Sequence, residues 1–384
     1  MLLDVILNRK YCVAGNSYKF ITDHFKVIIS SGGTMRSEPM KFGMVLSPPM
    51  PPVNKVMEIA KMTEDAGFDS IVVPDHLLMV PPGFTPNAFG ILAALAVKTI
   101  RVTIGTGVSD VIRYHPAVLA QLAATIDHLS SGRMFLGLGA GEIMNLTPFG
   151  LPFEKPFSRL KEAIYLLRRL WRGERFSYDG KFFKFNNAFL QITPVRGSIP
   201  IYVGANSVKS REFTGECCEG WMPMIETPET YKKHLEDVKR GLERSGRSLD
   251  DIDTAIQIYT AVSHDRNEAI ARIRAYKGIV VAMYGKVQEA GFEIKLPEKI
   301  SPLYYSTDLL VTQEKLTEFA RLASYVPDDV AMEFFIVGTP EDCIDQIERF
   351  RKAGLKHLII INVGPRPKEV LKIYSEKIIP AFKD

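Results

Sequence analysis

The chain has 384 residues, 46% hydrophobic and 24% charged, with a formal net charge of +4. That composition suits a globular protein with a large core, and so small and dispersed a charge excess argues against nucleic acid or an anionic membrane as a partner. Four cysteines form neither a metal-ligand spacing nor a disulfide framework, and no apolar run reaches the length of a membrane span, so a reducing cytoplasm is the expected compartment.

Residues 1–40 follow no helical or strand period and read as an N-terminal extension, either a flexible arm or a segment preceding a native start at Met35 or Met40. Regular structure is expected from Lys41. Residues 42–46 form a short apolar strand ended by the cluster Pro48-Pro49-Met50-Pro51-Pro52, and 53–66 a helix stopped by Gly67. Residues 70–74 are a continuous apolar strand that runs straight into Asp75-His76. A helix at 86–98 follows. Strands at 102–106 and 134–138 then flank a helix with Leu119, Leu122, Ile126 and Leu129 on one face, a parallel βαβ unit. Phe157, Leu160, Ile164, Leu167 and Trp171 repeat at three and four in a further amphipathic helix.

The alternation then breaks. Tyr178, Phe182, Phe183 and Phe185 around Asp179-Gly180 predict a hairpin inserted at about 175–194. Strands resume at 199–204, 220–224, 254–261 and 357–361, with helices opened by Thr227-Pro228-Glu229 and by Thr339-Pro340-Glu341-Asp342. Residues 277–333 are too long for one connection and read as a mostly helical insertion. Eight strands alternating with helices are the count of an α/β fold of the (β/α)8 TIM barrel type, spanning residues 41–384; an open doubly wound sheet is the alternative.

Ligands of such folds sit at the carboxyl ends of the strands. Three strand ends gather polar groups there: Asp75 and His76, the run Thr106 to Asp110, and Glu142 with Asn145. A carboxylate such as Glu142 at the mouth of a glycine loop is costly without a partner or a task; a charge favoured by a helix N-terminus is the other explanation. Gly139-Ala140-Gly141 lacks the three-glycine dinucleotide spacing, but together with Gly204-Ala205-Asn206-Ser207 it offers two sets of backbone N–H groups to one anion, unless both are ordinary tight turns. His115-Pro116 caps the helix after strand three or contacts a ligand. No histidine spacing implies a metal.

Several stretches carry a resemblance. Val73-Pro74-Asp75-His76, Ile104-Gly105-Thr106-Gly107-Val108, Arg113-Tyr114-His115-Pro116-Ala117, Leu136-Gly137-Leu138-Gly139-Ala140-Gly141-Glu142, Ile199-Pro200-Ile201-Tyr202-Val203-Gly204-Ala205 and Val337-Gly338-Thr339-Pro340 stand in an order and spacing similar to the bacterial luciferase-like superfamily. The branch most similar is the one that uses the 5-deazaflavin coenzyme F420, including glucose-6-phosphate dehydrogenases and methylenetetrahydromethanopterin reductases. Where those dehydrogenases carry a phosphate-gripping lysine after strand six, Met222-Pro223-Met224-Ile225-Glu226 has no base, and Val45 stands where the reductases carry an acid.

The resemblance implies a hydride-transferring oxidoreductase acting on a small or medium organic substrate; an FMN-dependent monooxygenase, which shares the barrel, and a non-catalytic binding paralogue are the alternatives. It implies F420 across the barrel mouth, contacted by Asp75, Thr106, Gly107, Val108 and Asn145, with its phosphate near Gly139, Ala140, Gly141, Gly204, Ala205, Asn206 and Ser207. His76 and Glu142 are the residues expected to handle the proton. A non-prolyl cis peptide at Gly107-Val108, in a bulge that ends strand three, and a homodimer or higher homo-oligomer are also expected.

Overall fold

The computed structural model describes residues 39–46, 52–80 and 83–383. Most of the N-terminal extension, and the proline cluster apart from Pro52, therefore lie outside the described residues. Met40, at the end of that extension, is buried, and its N–H donates to the Phe382 carbonyl.

The strands are β1 (Lys41–Val45), β2 (Ser70–Val73), β3 (Thr103–Thr106), β4 (Ser109–Asp110), β5 (Met134–Gly139), β6 (Phe176–Asp179), β7 (Lys184–Ala188), β8 (Ile201–Val203), β9 (Gly220–Trp221), β10 (Asp253–Val262), β11 (Ile336–Gly338) and β12 (His357–Asn362). Eight of them, β1, β2, β3, β5, β8, β9, β10 and β12, lie side by side in parallel. The ring closes where His357 of β12 pairs with Lys41 of β1 and where Gly220 of β9 pairs with Asp253 of β10. This is the (β/α)8 barrel expected from the strand count.

Strand pleating sends alternate residues to different cores. Ile71 and Val73, Leu136 and Leu138, Ile256 and Ile258, and Leu358 and Ile360 join the layer between sheet and helices. Their neighbours Val72, Phe135, Ala255 and Ile359 meet Met222 inside the barrel. Strands buried on both faces have no polar side to show, which is why they read as continuous apolar runs.

A polar plug closes the amino-terminal end of the barrel. Ser70 Oγ lies 2.8 Å from His357 Nε2, and His357 Nδ1 lies 2.9 Å from Asp253 Oδ2. The Tyr202 hydroxyl donates to the same carboxylate oxygen at 2.8 Å, and Lys41 Nζ stands 3.5 Å away. Gly43 makes the room, since a Cβ there would fall 2.2 Å from Ser70 Oγ. The order serine, histidine, aspartate is that of a hydrolase triad, but Ser70 is fully buried, so the trio braces the floor. Burial pushes the Asp253 carboxyl up, and the His357 and Lys41 charges outweigh this and hold it well below the usual range. Tyr202→Phe is expected to cost about 2 kcal/mol, the worth of one hydrogen bond to a charged group, read as a lower urea midpoint with an unchanged slope.

Both insertions form. β6 and β7 pair antiparallel with Asp179 opposite Lys184, and Glu162 accepts from the N–H groups of Phe182 and Phe183 to hold the hairpin on the helix Pro156–Trp171. The second insertion contains the helices Gly278–Ala282, Tyr284–Glu289, Tyr304–Thr307, Gln313–Ala323 and Asp328–Glu333. Two details differ from expectation. β9 ends at Trp221 because Pro223 lacks an N–H for the ladder, and Met224 rejoins β10 by a single bridge to Gln257. β11 was not expected; β10 outruns its neighbours, and its last residues take Ile336 to Gly338 as a parallel partner.

Candidate active site

The carboxyl ends of β2, β3, β5 and β8 converge on one side of the barrel mouth. β3 ends at Thr106, whose fully buried hydroxyl donates to the Gly137 carbonyl at 2.6 Å and fastens β3 to β5. The next peptide bond, Gly107-Val108, is cis, as expected, and β4 then resumes the ladder on β5. This places Val108 against the inner cluster of the barrel, between two bare backbones. A Cβ at Gly139 would stand 2.7 Å from one Val108 methyl, and a Cβ at Gly204 would stand 3.5 Å from both. At Gly107 itself a Cβ would fall 2.0 Å from Val72. The glycines are there so that Val108 can form a wall.

Asp75 is buried, and its carboxylate is already engaged by protein partners. Ser109 Oγ donates to its Oδ2 at 2.6 Å, Arg113 Nη2 reaches the same oxygen at 3.1 Å, and the Tyr114 hydroxyl stands 3.4 Å from Oδ1. Arg113 also binds Asp110, so one buried guanidinium is held between two carboxylates. Burial and the Asp75 charge push the Tyr114 phenol up to about 12, which keeps it a neutral donor.

His76, Glu142 and Asn145 form the chemical centre. Asn145 is buried, and its Oδ1 accepts from the N–H groups of Leu77 and Leu78, each at 2.8 Å, which fixes the orientation of the amide. Its Nδ2 therefore donates to Glu142 Oε2 at 3.0 Å and faces His76 Nδ1 at 3.1 Å. A donor in that place requires an unprotonated Nδ1, so the neutral imidazole keeps its proton on Nε2. Glu142 Oε2 also lies 3.4 Å from Nδ1, ready to pair with an imidazolium. Burial pulls the His76 pKa down, but the Glu142 carboxylate beside it wins and raises it. The Glu142 carboxyl, pushed up by burial, is lowered on balance by the His76 charge and by hydrogen bonds from His76 and Asn145. One proton can thus move on and off a prearranged pair.

The two glycine loops lie beside this centre. Gly141 takes a φ of +89°, and among the described residues the N–H groups of Ala140, Gly141, Ala205 and Asn206 donate to no protein acceptor. Ala205 is buried and accepts from Trp221 Nε1; Asn206 is exposed, and its carbonyl accepts from Arg211. Ser207 caps the helix Val208–Cys217 in a box with Ser210, so its hydroxyl is already engaged. His115 likewise caps the helix Pro116–Leu129, and its ring stands against Phe183 and Phe185 of the hairpin.

Two contributors were not legible in the sequence. Tyr305, from the helical insertion, stands at Glu142, and burial together with that carboxylate pushes its phenol well above the ordinary range. Lys286, from the same insertion, reaches the end of the sixth barrel strand and pairs with Glu226 at 2.9 Å. No local period or motif marks either residue.

The luciferase-like monooxygenase family model matches residues 32–357. The chain belongs to the luciferase-like monooxygenase family. Within and around this family, it is 32% identical over 354 residues to an F420-dependent glucose-6-phosphate dehydrogenase of Microbacterium testaceum, covering 90% of this chain and 98% of that one. It is 31% identical over 356 residues to a 5,10-methylenetetrahydromethanopterin reductase of Archaeoglobus fulgidus, covering 90% and 100%. Among solved structures, an F420-dependent secondary alcohol dehydrogenase in complex with an F420-acetone adduct superposes with a TM-score of 0.74 at 26% identity, covering 90% and 100%. Among the described residues of this luciferase-like chain no helix is long and apolar enough to cross a membrane.

Proposed function

We propose that the chain is an F420-dependent oxidoreductase that passes a hydride between the deazaflavin and an organic substrate at the barrel mouth. The observation that carries this reading is the Val108 wall, a flat-sided step admitted by Gly107, Gly139 and Gly204, with the His76–Glu142 pair nearby. Relatives named for F420 support that cofactor over FMN.

The residues fit the group. The ring would lie against Gly107 and Val108, and its phosphate would meet the undonated N–H groups of Ala140, Gly141, Ala205 and Asn206, with Gly139 and Gly204 leaving the backbone bare. Asp75, Thr106, Asn145 and Ser207 shape the site from one step behind, because their polar atoms already bind protein. The deazaflavin, when bound, supplies a ring carbon that gives or takes a hydride. The protein then has to align two partners and handle one proton. The His76–Glu142 pair holds or releases that proton, and Glu142 stabilises the imidazolium through Nδ1. Tyr305 brings the insertion down on Glu142. A homo-oligomer in the cytoplasm, with a small-molecule substrate and neither nucleic acid nor membrane as partner, completes the reading.

Titration with F420 is expected to give saturable binding with a change in deazaflavin fluorescence, while FMN added at the same concentrations gives none. Tight FMN binding, with oxygen consumed when reduced FMN is supplied, would assign the protein to monooxygenase chemistry instead.

A further inference from the structure

With the free backbone N–H groups of the glycine loops assigned to the cofactor phosphate, a phosphate or carboxylate on the substrate would need a cation left uncompensated. Among the described residues, the cations Lys286 and Arg113 near the mouth are both paired. Lys286 Nζ lies 2.9 Å from Glu226 Oε1 and 2.6 Å from the Met224 carbonyl, and the two side chains are 10% and 1% exposed. Glu226 is braced from the other side by His234, 3.2 Å away, which is itself paired with Glu289. Burial pushes the Glu226 carboxyl up, but the Lys286 charge and His234 outweigh it and hold it at about 2, so it stays ionised at every working pH. The pair connects to the mouth through Met224, whose carbonyl Lys286 contacts and which bridges to Gln257, a side chain that would stand 3.2 Å from a Cβ on Gly107.

The remaining charges tell the same story. Arg113 is held by Asp75 and Asp110 and is 7% exposed. Even with His76 protonated, the three cations Arg113, Lys286 and His76 meet the four carboxylates Asp75, Asp110, Glu142 and Glu226. Met224, Tyr259 and Tyr305 belong to an apolar cluster that joins the insertion to the barrel, and burial pushes the Tyr259 phenol up to about 12, leaving it neutral.

We infer that the site takes an uncharged alcohol or carbonyl compound and rejects phosphorylated or carboxylated ones, and that Glu226 enforces this choice by neutralising Lys286. This rests on the reading of the chain as a deazaflavin-dependent oxidoreductase. In the oxidative direction the C–H bond of the alcohol carbon breaks and its electron pair leaves with the hydrogen to the deazaflavin. The hydroxyl proton passes to the His76–Glu142 pair, and the C=O bond forms. Nothing in that balance calls for an anionic handle on the substrate.

The test uses the full chain loaded with F420. Wild type is expected to reduce F420 with uncharged secondary alcohols, and neither glucose 6-phosphate nor inorganic phosphate should compete. Glu226→Gln, which leaves Lys286 uncompensated, should gain on the order of tenfold or more in phosphate affinity, read by competition. The double variant Glu226→Gln with Lys286→Met should lose that gain. Turnover or saturable competition by glucose 6-phosphate in wild type overturns the inference, and so does a folded Glu226→Gln protein with no gain. If Glu226→Gln does not fold, the wild-type competition decides alone. Failure to bind F420 at all would instead sink the reading beneath it.

Discussion

Glu142→Gln is expected to leave folding and F420 affinity intact while lowering turnover about 10²-fold or more, the usual worth of a positioned proton-handling group. The amide keeps the size of the side chain, so Asn145 and Tyr305 retain a neighbour. What is lost is the negative charge that raises His76 against its burial. The imidazolium then has no counter-ion, and the pair can no longer hold the proton that accompanies the hydride. A pH test follows with a definite sign. His76 has a raised pKa, so its contribution to stability is full below the ordinary value of 6.5 and fades as pH rises through the raised one. Glu142 has a lowered pKa, so its contribution is full above the ordinary 4.5 and fades as pH falls through the lowered one. The melting-temperature gap between wild type and variant should therefore be widest between those two values and narrow above neutral pH. Unchanged turnover would reduce Glu142 to a surface-type charge at a helix start, worth ~0.5 kcal/mol.

The barrel was legible because its signals are local. The alternating facing of β10, with Ile256 and Ile258 outward and Ala255 inward, follows from the two-residue period of a strand, and the helices announce themselves by Thr-Pro starts and glycine stops. The glycine loops after β3, β5 and β8 were legible for a similar reason, since glycine inside a strand has little to offer except close approach. The contacts that finish the site are not local. Ser70 and His357 are 287 positions apart, and Lys286 meets Glu226 across 60. Such pairs form because closure of the barrel brings β2 near β12 and folds the insertion over the mouth. No spacing rule along the chain records that. The bond state of Gly107-Val108 was reached through family resemblance, and the glycine pattern supported it.

Asn145 offers the second large effect, and it acts through His76. Asn145→Leu takes the shared acceptor from the Leu77 and Leu78 N–H groups, in a turn where Leu77 is exposed, and removes the donor that faces His76 Nδ1. Each lost hydrogen bond costs about 0.5–1.5 kcal/mol, so the turn that carries His76 loosens, and turnover should fall about 10²–10³-fold. That drop alone would not separate a loosened loop from a disturbed imidazole. Asn145→Asp does, because a carboxylate still accepts from Leu77 and Leu78 while the donor toward His76 is gone. Two carboxylates, at 142 and 145, would then share one imidazole, and both favour a proton on Nδ1. The limb of the pH–rate profile set by His76 should move to higher pH by about one unit or more, whichever direction of turnover is followed. A residue that only supports the loop would lower the height of the profile and leave that limb in place, and this result would return Asn145 to a purely structural role.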